Sequence, residues 1–308
     1  MFKRLLLSLV LVLCTLSLAQ DYADRFEAAW RLVNERYWNL DERGIDWEAI
    51  KLTYENEALA AQNDTDFYSV LETMYGELGD NHSVFVPPQR VADIRAQYGD
   101  LPCLGVFALA SQAESAGNVS WELLDEGGTA TGYVEVPDLA TDYVAANLRR
   151  AVRELEDSGA TALILDMRGN PGGRLVEMMQ AAGIFTRGFL WRTVTRWALP
   201  LPYPAIGAPE TDLPLVILID GDVNSAAEGL AGALQQRGRA TVIGETSAGN
   251  VEAVLPFCLR DGSQAWIATG VLAPIGGPTW EGVGVVPDIT APSAEALDAA
   301  LEYINEKY

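Results

Sequence analysis

The sequence predicts an α/β protein in which a helical N-terminal subdomain precedes an α/β core. Three observations carry that expectation. Leu213 to Gln236, LPLVILIDGDVNSAAEGLAGALQQ, passes from a short β-branched apolar run through a polar, glycine-containing turn into Ala, Glu and Leu at helical spacing. From Thr131 onward, strand-like and helix-like stretches alternate. Between Asp21 and Glu77, by contrast, the pattern is helical throughout.

Taken in order, the chain opens MFKRLLLSLVLVLCTLSLAQ, with two basic residues, an apolar run and Ser17-Leu18-Ala19 as a small-x-small cleavage site. Residues 1–19 read as a secretory signal peptide, too short to span a bilayer comfortably. A lipoprotein signal at Cys14 is the rival, disfavoured by the bulky Leu13 before it. The product is expected outside the cytoplasm, periplasmic or extracellular, with no stable membrane insertion once the leader is removed. Residues 20–88 form the helical subdomain. Its stripes are Phe26, Trp30, Val33 and Tyr37, then Trp47, Ile50 and Tyr54, then Phe67, Leu71, Met74 and Leu78. It ends in GELGDNHSVFVPP, a turn into a short strand stopped by Pro87-Pro88. Residues 89–130 read as a short β-rich linker, with apolar runs at Leu104 to Leu109 and Val119 to Leu124.

Residues 131–308 are the α/β core. Expected strands are Thr131 to Val136, Ala162 to Leu165, Leu213 to Ile219 and Ala240 to Gly244; expected helices are Tyr143 to Asp157, Leu175 to Ile184, a run from Ser225 and another from Ser293. Arg187 to Glu210, with Trp191, Trp197 and several prolines, reads as a loop-rich excursion lining a groove, and Val251 to Leu259 with Gln264 to Leu272 as a hairpin.

The formal charge of −22 makes nucleic acid and anionic membranes poor partners. Cys103 and Cys258 remain after loss of Cys14; an exported chain permits their disulfide, but spacing leaves open whether they meet. There is no CxxC, GxGxxG or Walker lysine, so no metal or cofactor is expected.

Ser225 stands where a strand ends and a helix begins, so the next amide, Ala226, and the helix dipole face any anion forming there. The plainer reading is that Ser225 only caps the helix. His82 is the one histidine of the chain and the one available imidazole base. The loop Asp166-Met-Arg-Gly-Asn-Pro-Gly-Gly173 brings glycine N–H groups to a strand end, where they serve an oxyanion hole or merely a tight turn. Glu281 supplies an acid to orient the imidazole, with Glu245 a lesser rival and Glu228 a first-turn acid closing a capping box with Ser225. No GxSxG is present, which disfavours an α/β-hydrolase elbow.

With GELGDNHS, GYVEV, LILDMRGNPGG, VNSAAEGLAGALQQRGRATVIGE and EGVGVVPD, the chain resembles the S41 serine peptidases, the family of C-terminal processing peptidases and the tricorn core protease. The resemblance runs from about Phe26 to the C-terminus. It implies a ClpP/crotonase-like ββα core behind the helical N-terminal subdomain, Ser225 as nucleophile, and an oxyanion hole from Ala226 with Gly172 or Gly173. Processing peptidases carry a lysine 25 residues after the serine; Asn250 stands there. The tricorn-like branch uses serine, histidine and glutamate, matched by Ser225, His82 and Glu281. Tricorn's further serine before the histidine is replaced by Asn81, and the interval before GYVEV is too short for a full PDZ domain.

The expected function is therefore an exported serine endopeptidase acting on peptides or unfolded proteins. The alternative is a catalytically silent binding protein on the same fold, with the Trp191–Trp197 stretch taking a hydrophobic ligand. An acyl-CoA enzyme is disfavoured by the export signal.

Overall fold

A computed structural model describes residues 21–40, 43–80, 82–98, 103, 119–124, 128–196 and 199–308. The signal-peptide reading, Asn81, Trp197 and the Leu104 to Leu109 run lie outside the described residues. Contacts divide the chain into two units: Met1–Ala108 with Val254–Gly270, and Leu109–Ala253 with Val271–Tyr308.

The first unit begins with helices α1 (21–36), α2 (Trp47–Leu59) and α3 (Asp64–Gly76). Asp46 and Asn63 cap the second and third, their side chains accepting the Ala49 and Asp66 N–H groups at 3.0 Å each. The expected stripes form one core: Phe26, Trp30, Val33, Tyr37, Trp47, Phe67, Leu71, Met74 and Leu78 are all buried, with Ile50 and Tyr54 packed at its edge. Trp30 and Trp47 each donate an indole N–H to the other's carbonyl, both at 3.0 Å. Strand β1 (Val84–Val86) follows, then helix α4 (Pro88–Tyr98). That helix replaces the start of the expected β-rich segment. Pro88 stops the strand and, with its ring already at helical φ, opens the helix.

In the second unit, β2 (Ser120–Leu124), β3 (Thr131–Glu135), α5 (Val144–Asp157), β4 (Ala162–Asp166) and α6 (Leu175–Phe185) come in succession. Strands β5 (Phe189–Val194) and β6 (Leu201–Pro204) form an antiparallel pair where a loop excursion was expected. Then follow β7 (Leu215–Ile219), α7 (Ala226–Gln236), β8 (Thr241–Gly244), β9 (Glu252–Cys258) and β10 (Gln264–Pro274), the last two largely in the stretch that belongs to the first unit, and β11 (Ile289–Thr290), a 3₁₀ turn at Ser293–Glu295 and α8 (Ala296–Lys307).

Six strands of this unit make a sheet in the order β11-β8-β7-β4-β3-β2, parallel except for the β2 edge. Alternation along β4 and β7 explains its two covered faces. Leu163, Leu165, Leu215, Ile217 and Ile219 point into the core shared with α5, α6 and α7. Ala162, Ile164, Val216 and Leu218 point the other way, onto Ala296, Ala300 and Ile304 of α8. The α/β class is thus the class observed. Trp191, expected to line a groove, is fully buried in the first of these cores, its indole N–H donated to the Gly229 carbonyl at 2.7 Å. No helix among the described residues is long and apolar enough to cross a membrane.

The expected core of residues 131–308 is not one unit by contacts, because Val254–Gly270 groups with the N-terminal helices. There β1 pairs with β10 through Val84–Trp266, Phe85–Ala265 and Val86–Gln264, and Cys103 is joined to Cys258 by a disulfide. At the turn between β9 and β10, Arg25 donates to Asp261 at 2.9 Å and to the Tyr68 hydroxyl, while Asp261 also accepts from Ser263 N and Oγ. Burial pulls the Asp261 carboxyl up, but the Ser263 hydrogen bonds, Arg25 and Tyr68 outweigh it and hold it below its ordinary value. Burial and the Asp261 charge push the Tyr68 phenol up to about 12, so it stays a donor. A carboxyl depressed on folding stabilises above its unfolded pKa of about 4, and that contribution fades as pH falls through the folded value. Asp261→Asn is accordingly expected to lose about 2 kcal/mol at pH 7, with the gap closing below about pH 4. Thermal melts of both proteins from pH 7 to pH 3 measure this; a gap independent of pH contradicts it.

Candidate active site

Ser225 is the N-cap residue of α7 and adopts φ 54°, ψ −119°, a backbone conformation that side chains with a Cβ rarely take. Two acceptors pin its N–H: the Asn250 carbonyl at 3.1 Å and Glu228 Oε2 at 2.9 Å. The strand β7 before it is wholly buried and the helix after it is buried through Leu234, so the turn between them is held from both ends.

The glycine loop lies directly against this turn. A Cβ on Gly172 (φ 88°) would stand 2.6 Å from the Asn224 carbonyl oxygen and 2.9 Å from both the Ala226 nitrogen and the Ser225 Cβ. A Cβ on Gly173 (φ 148°) would overlap the backbone of Leu139 and Ala140. Close approach of backbone to backbone therefore requires glycine at both positions. Asn170, fully buried, shapes the loop: its Oδ1 accepts the Gly172 N–H at 2.8 Å, its Nδ2 donates to the Val136 carbonyl at 2.7 Å, and its own carbonyl accepts the Asn224 N–H at 3.0 Å. The Gly172 N–H is thereby committed inside the protein.

Glu228, fully buried, is the hub beneath Ser225. Its carboxylate accepts four donors: Ser225 N, Asn250 N at 2.9 Å, Ser247 Oγ at 2.6 Å and Gly249 N at 2.6 Å. Sequence reasoning found only the first of these, as the capping-box acid; the three across to the loop 247–250 are tertiary and leave no local signal. Glu281 sits at the far end of that loop. Its Oε2 accepts the Val251 N–H at 2.8 Å, and the next amide, Gly282, donates to the Gly249 carbonyl at 2.7 Å. The second unit thus presses Gly172 against Ser225 and Ala226 and ties Ser225 to Asn250, whose neighbour Val251 donates to Glu281. Glu245 lies elsewhere, accepting the Ser293 N–H at 3.0 Å.

His82 belongs to the first unit, half-buried on the turn before β1. Asp80 builds that turn, its Oδ1 accepting the N–H groups of His82 (2.9 Å) and Ser83. Ser83 is buried and its Oγ accepts the Ala268 N–H at 3.0 Å, which locks the base of the turn. Among the described residues, no group of three or more His, Cys, Asp or Glu is gathered to hold a metal ion.

Residues 130–291, more than half of the chain, match Peptidase family S41, and residues 18–76 match the Tricorn protease C1 domain. A carboxyl-terminal-processing protease of Synechocystis sp. is 30% identical over 213 residues, covering 65% of this chain and 50% of its own length. Its counterpart from Picosynechococcus sp. is 34% identical over 148 residues, covering 47% of this chain and 36% of its own length. The chain therefore spans half or less of these two relatives. The photosystem II D1 C-terminal processing protease superposes with a TM-score of 0.68 at 19% identity, over 91% of this chain and 97% of that one, a likeness of fold.

Proposed function

Because the chain belongs to peptidase family S41, we propose that it is an exported serine endopeptidase that hydrolyses peptide bonds in unfolded proteins or peptides. The observation that carries the reading is Ser225 itself, a non-glycine residue held at positive φ on a helix N-terminus with a glycine loop pressed against it. Strain of that kind has a use where a side-chain oxygen must be presented to a substrate, and none in a plain cap.

In this reading Ser225 Oγ attacks the carbonyl carbon of the scissile bond while His82 takes its proton. The imidazolium, oriented by Glu281, returns that proton to the leaving amine. Water then attacks the acyl-serine with His82 again as base, and the new carboxylate leaves. The amides of Ala226 and Gly173 hold the oxyanion; Gly172 shapes the hole and its own N–H serves Asn170. The names of the relatives make protein C-terminal tails the first substrates to try. Burial of Trp191 takes one of the two tryptophans of the silent-binder alternative out of reach of a ligand.

Protein lacking residues 1–19, with Ser225→Ala and His82→Ala versions, is to be incubated with unfolded proteins bearing different C-terminal tails. New termini are read by mass spectrometry. Cleavage by the wild type alone is expected; cleavage that survives Ser225→Ala sinks the proposal.

A further inference from the structure

Helix α5 carries three arginines, Arg149, Arg150 and Arg153, within five residues of one another, together with Glu154, Glu156 and Asp157. The arginines border a groove of about 520 Å³, within the range of ligand-binding clefts, that Glu154, Ala145, Ala146 and Ile206 also line.

The three guanidinium groups are braced. Glu210, 18% exposed, takes Arg149 and also Arg153 Nε at 2.8 Å. Arg149 also donates to the Ala208 carbonyl at 3.1 Å. Arg150 lies over the Trp121 ring, 5.7 Å from its centroid, and gives Nε to Glu154 at 2.7 Å, while Trp121 Nε1 binds the same carboxylate at 3.2 Å. Arg150 and Arg153 are thus tethered through Nε alone. Among the described residues, the two η nitrogens of each carry no hydrogen bond. A guanidinium fixed by its inner nitrogen presents its outer pair as the fork that takes a carboxylate bidentately.

We propose that this groove docks an acidic peptide segment in extended conformation. Residues three apart on a helix stand about 5–6 Å apart at Cβ, and alternate side chains of an extended chain about 6.6 Å apart. A segment with acidic residues at alternate positions offers a carboxylate to each fork, with a small apolar side chain lying on Ala145, Ala146 and Ile206. The guanidinium bracing means that little side-chain freedom is lost on binding. This docking site is independent of the chemistry assigned to Ser225.

The test uses the full chain without residues 1–19, carrying Ser225→Ala so that no probe is cut. Fluorescein-labelled (Glu-Ala)₄ is titrated by fluorescence anisotropy, against (Lys-Ala)₄ as control. Saturable binding of the acidic probe is expected. Arg150→Gln/Arg153→Gln should weaken it at least about tenfold, since each fork contributes a charge-assisted pair. Arg150→Lys/Arg153→Lys should restore only part, because charge returns without the fork. Ile206→Asp removes apolar surface and sets a negative charge beside the two forks, so it should weaken the probe at least about fivefold, which keeps the test open if the double variant misfolds. Unchanged affinity in the double glutamine variant together with Ile206→Asp, or equal binding of the lysine probe, overturns the proposal. So does displacement by equimolar citrate, which marks a small-polyanion site.

Discussion

A Ser225→Gly variant is expected to melt a few degrees above the wild type while hydrolysing nothing. Holding a residue with a Cβ at φ 54° costs of order 1–3 kcal/mol, and glycine removes that cost. Its greater freedom in the unfolded chain takes back about 0.5–1 kcal/mol, leaving a net gain near 1 kcal/mol, or roughly 2–4 °C for a domain of this size. Ser225→Ala keeps the Cβ and hence the strain, so its melting point should stay close to that of the wild type. Both variants lack Oγ, and loss of a serine nucleophile costs about 10⁴-fold or more in turnover. The ordering glycine above alanine in Tm, with both inactive, separates a strained nucleophile from an ordinary cap. A glycine variant that melts below the alanine variant would show the backbone to be unstrained. Differential scanning calorimetry with a peptide-cleavage assay measures both halves.

Glu228→Ala should have the largest effect on stability of any single change at the site. Four donors converge on a carboxylate with no exposure to water. Ser225 N keeps the Asn250 carbonyl as a second acceptor, but Ser247 Oγ and the amides of Gly249 and Asn250 lose their partner. Each buried group left unpaired costs about 1–3 kcal/mol, and water entering the vacated space recovers some of it, so a loss of about 4 kcal/mol is expected. The melting point should fall by roughly 10 °C. Glu228→Gln keeps the shape but turns an NH₂ toward N–H donors, so it should fall between. An alanine variant within one or two degrees of the wild type would show that water replaces the carboxylate fully.

What the sequence made legible follows from how local each signal is. The helical stripes of the first unit, the strands β3, β4, β7 and β8 and the helices α5, α6 and α7 appeared within a residue or two of their expected places, because periodicity and burial are properties of neighbouring residues. Ser225 was visible from its strand-to-helix junction, and Gly172 and Gly173 from their strand end. Three misreadings share one cause, which is proline. Pro88 looked like a stop and is also a helix start. Pro202 and Pro204 argued against a strand, yet β6 lies at a sheet edge, where a missing N–H is tolerated. The same prolines made Trp191 look like a groove residue when it is core. The reach of Glu228 to Ser247, Gly249 and Asn250, and the anchoring of Glu281 on Val251, connect segments 19 to 30 residues apart and leave no periodic trace.

The first unit is completed by Val254–Gly270, so its chain is interrupted by most of the second. A ribosome adding about 5–20 residues per second needs roughly 8–30 s to cover the 155 residues from Cys103 to Cys258. Throughout that interval the aromatic helices α1 to α3 exist without Phe257, Ala265, Ile267 and Ala268 of their core, and β1 has no strand to pair with. Their exposed rings are then a natural client surface for a holdase, whereas five strands of the six-stranded sheet, β2, β3, β4, β7 and β8, can assemble in the order of their synthesis. A chain stopped before residue 254 should accordingly aggregate through its N-terminal helices.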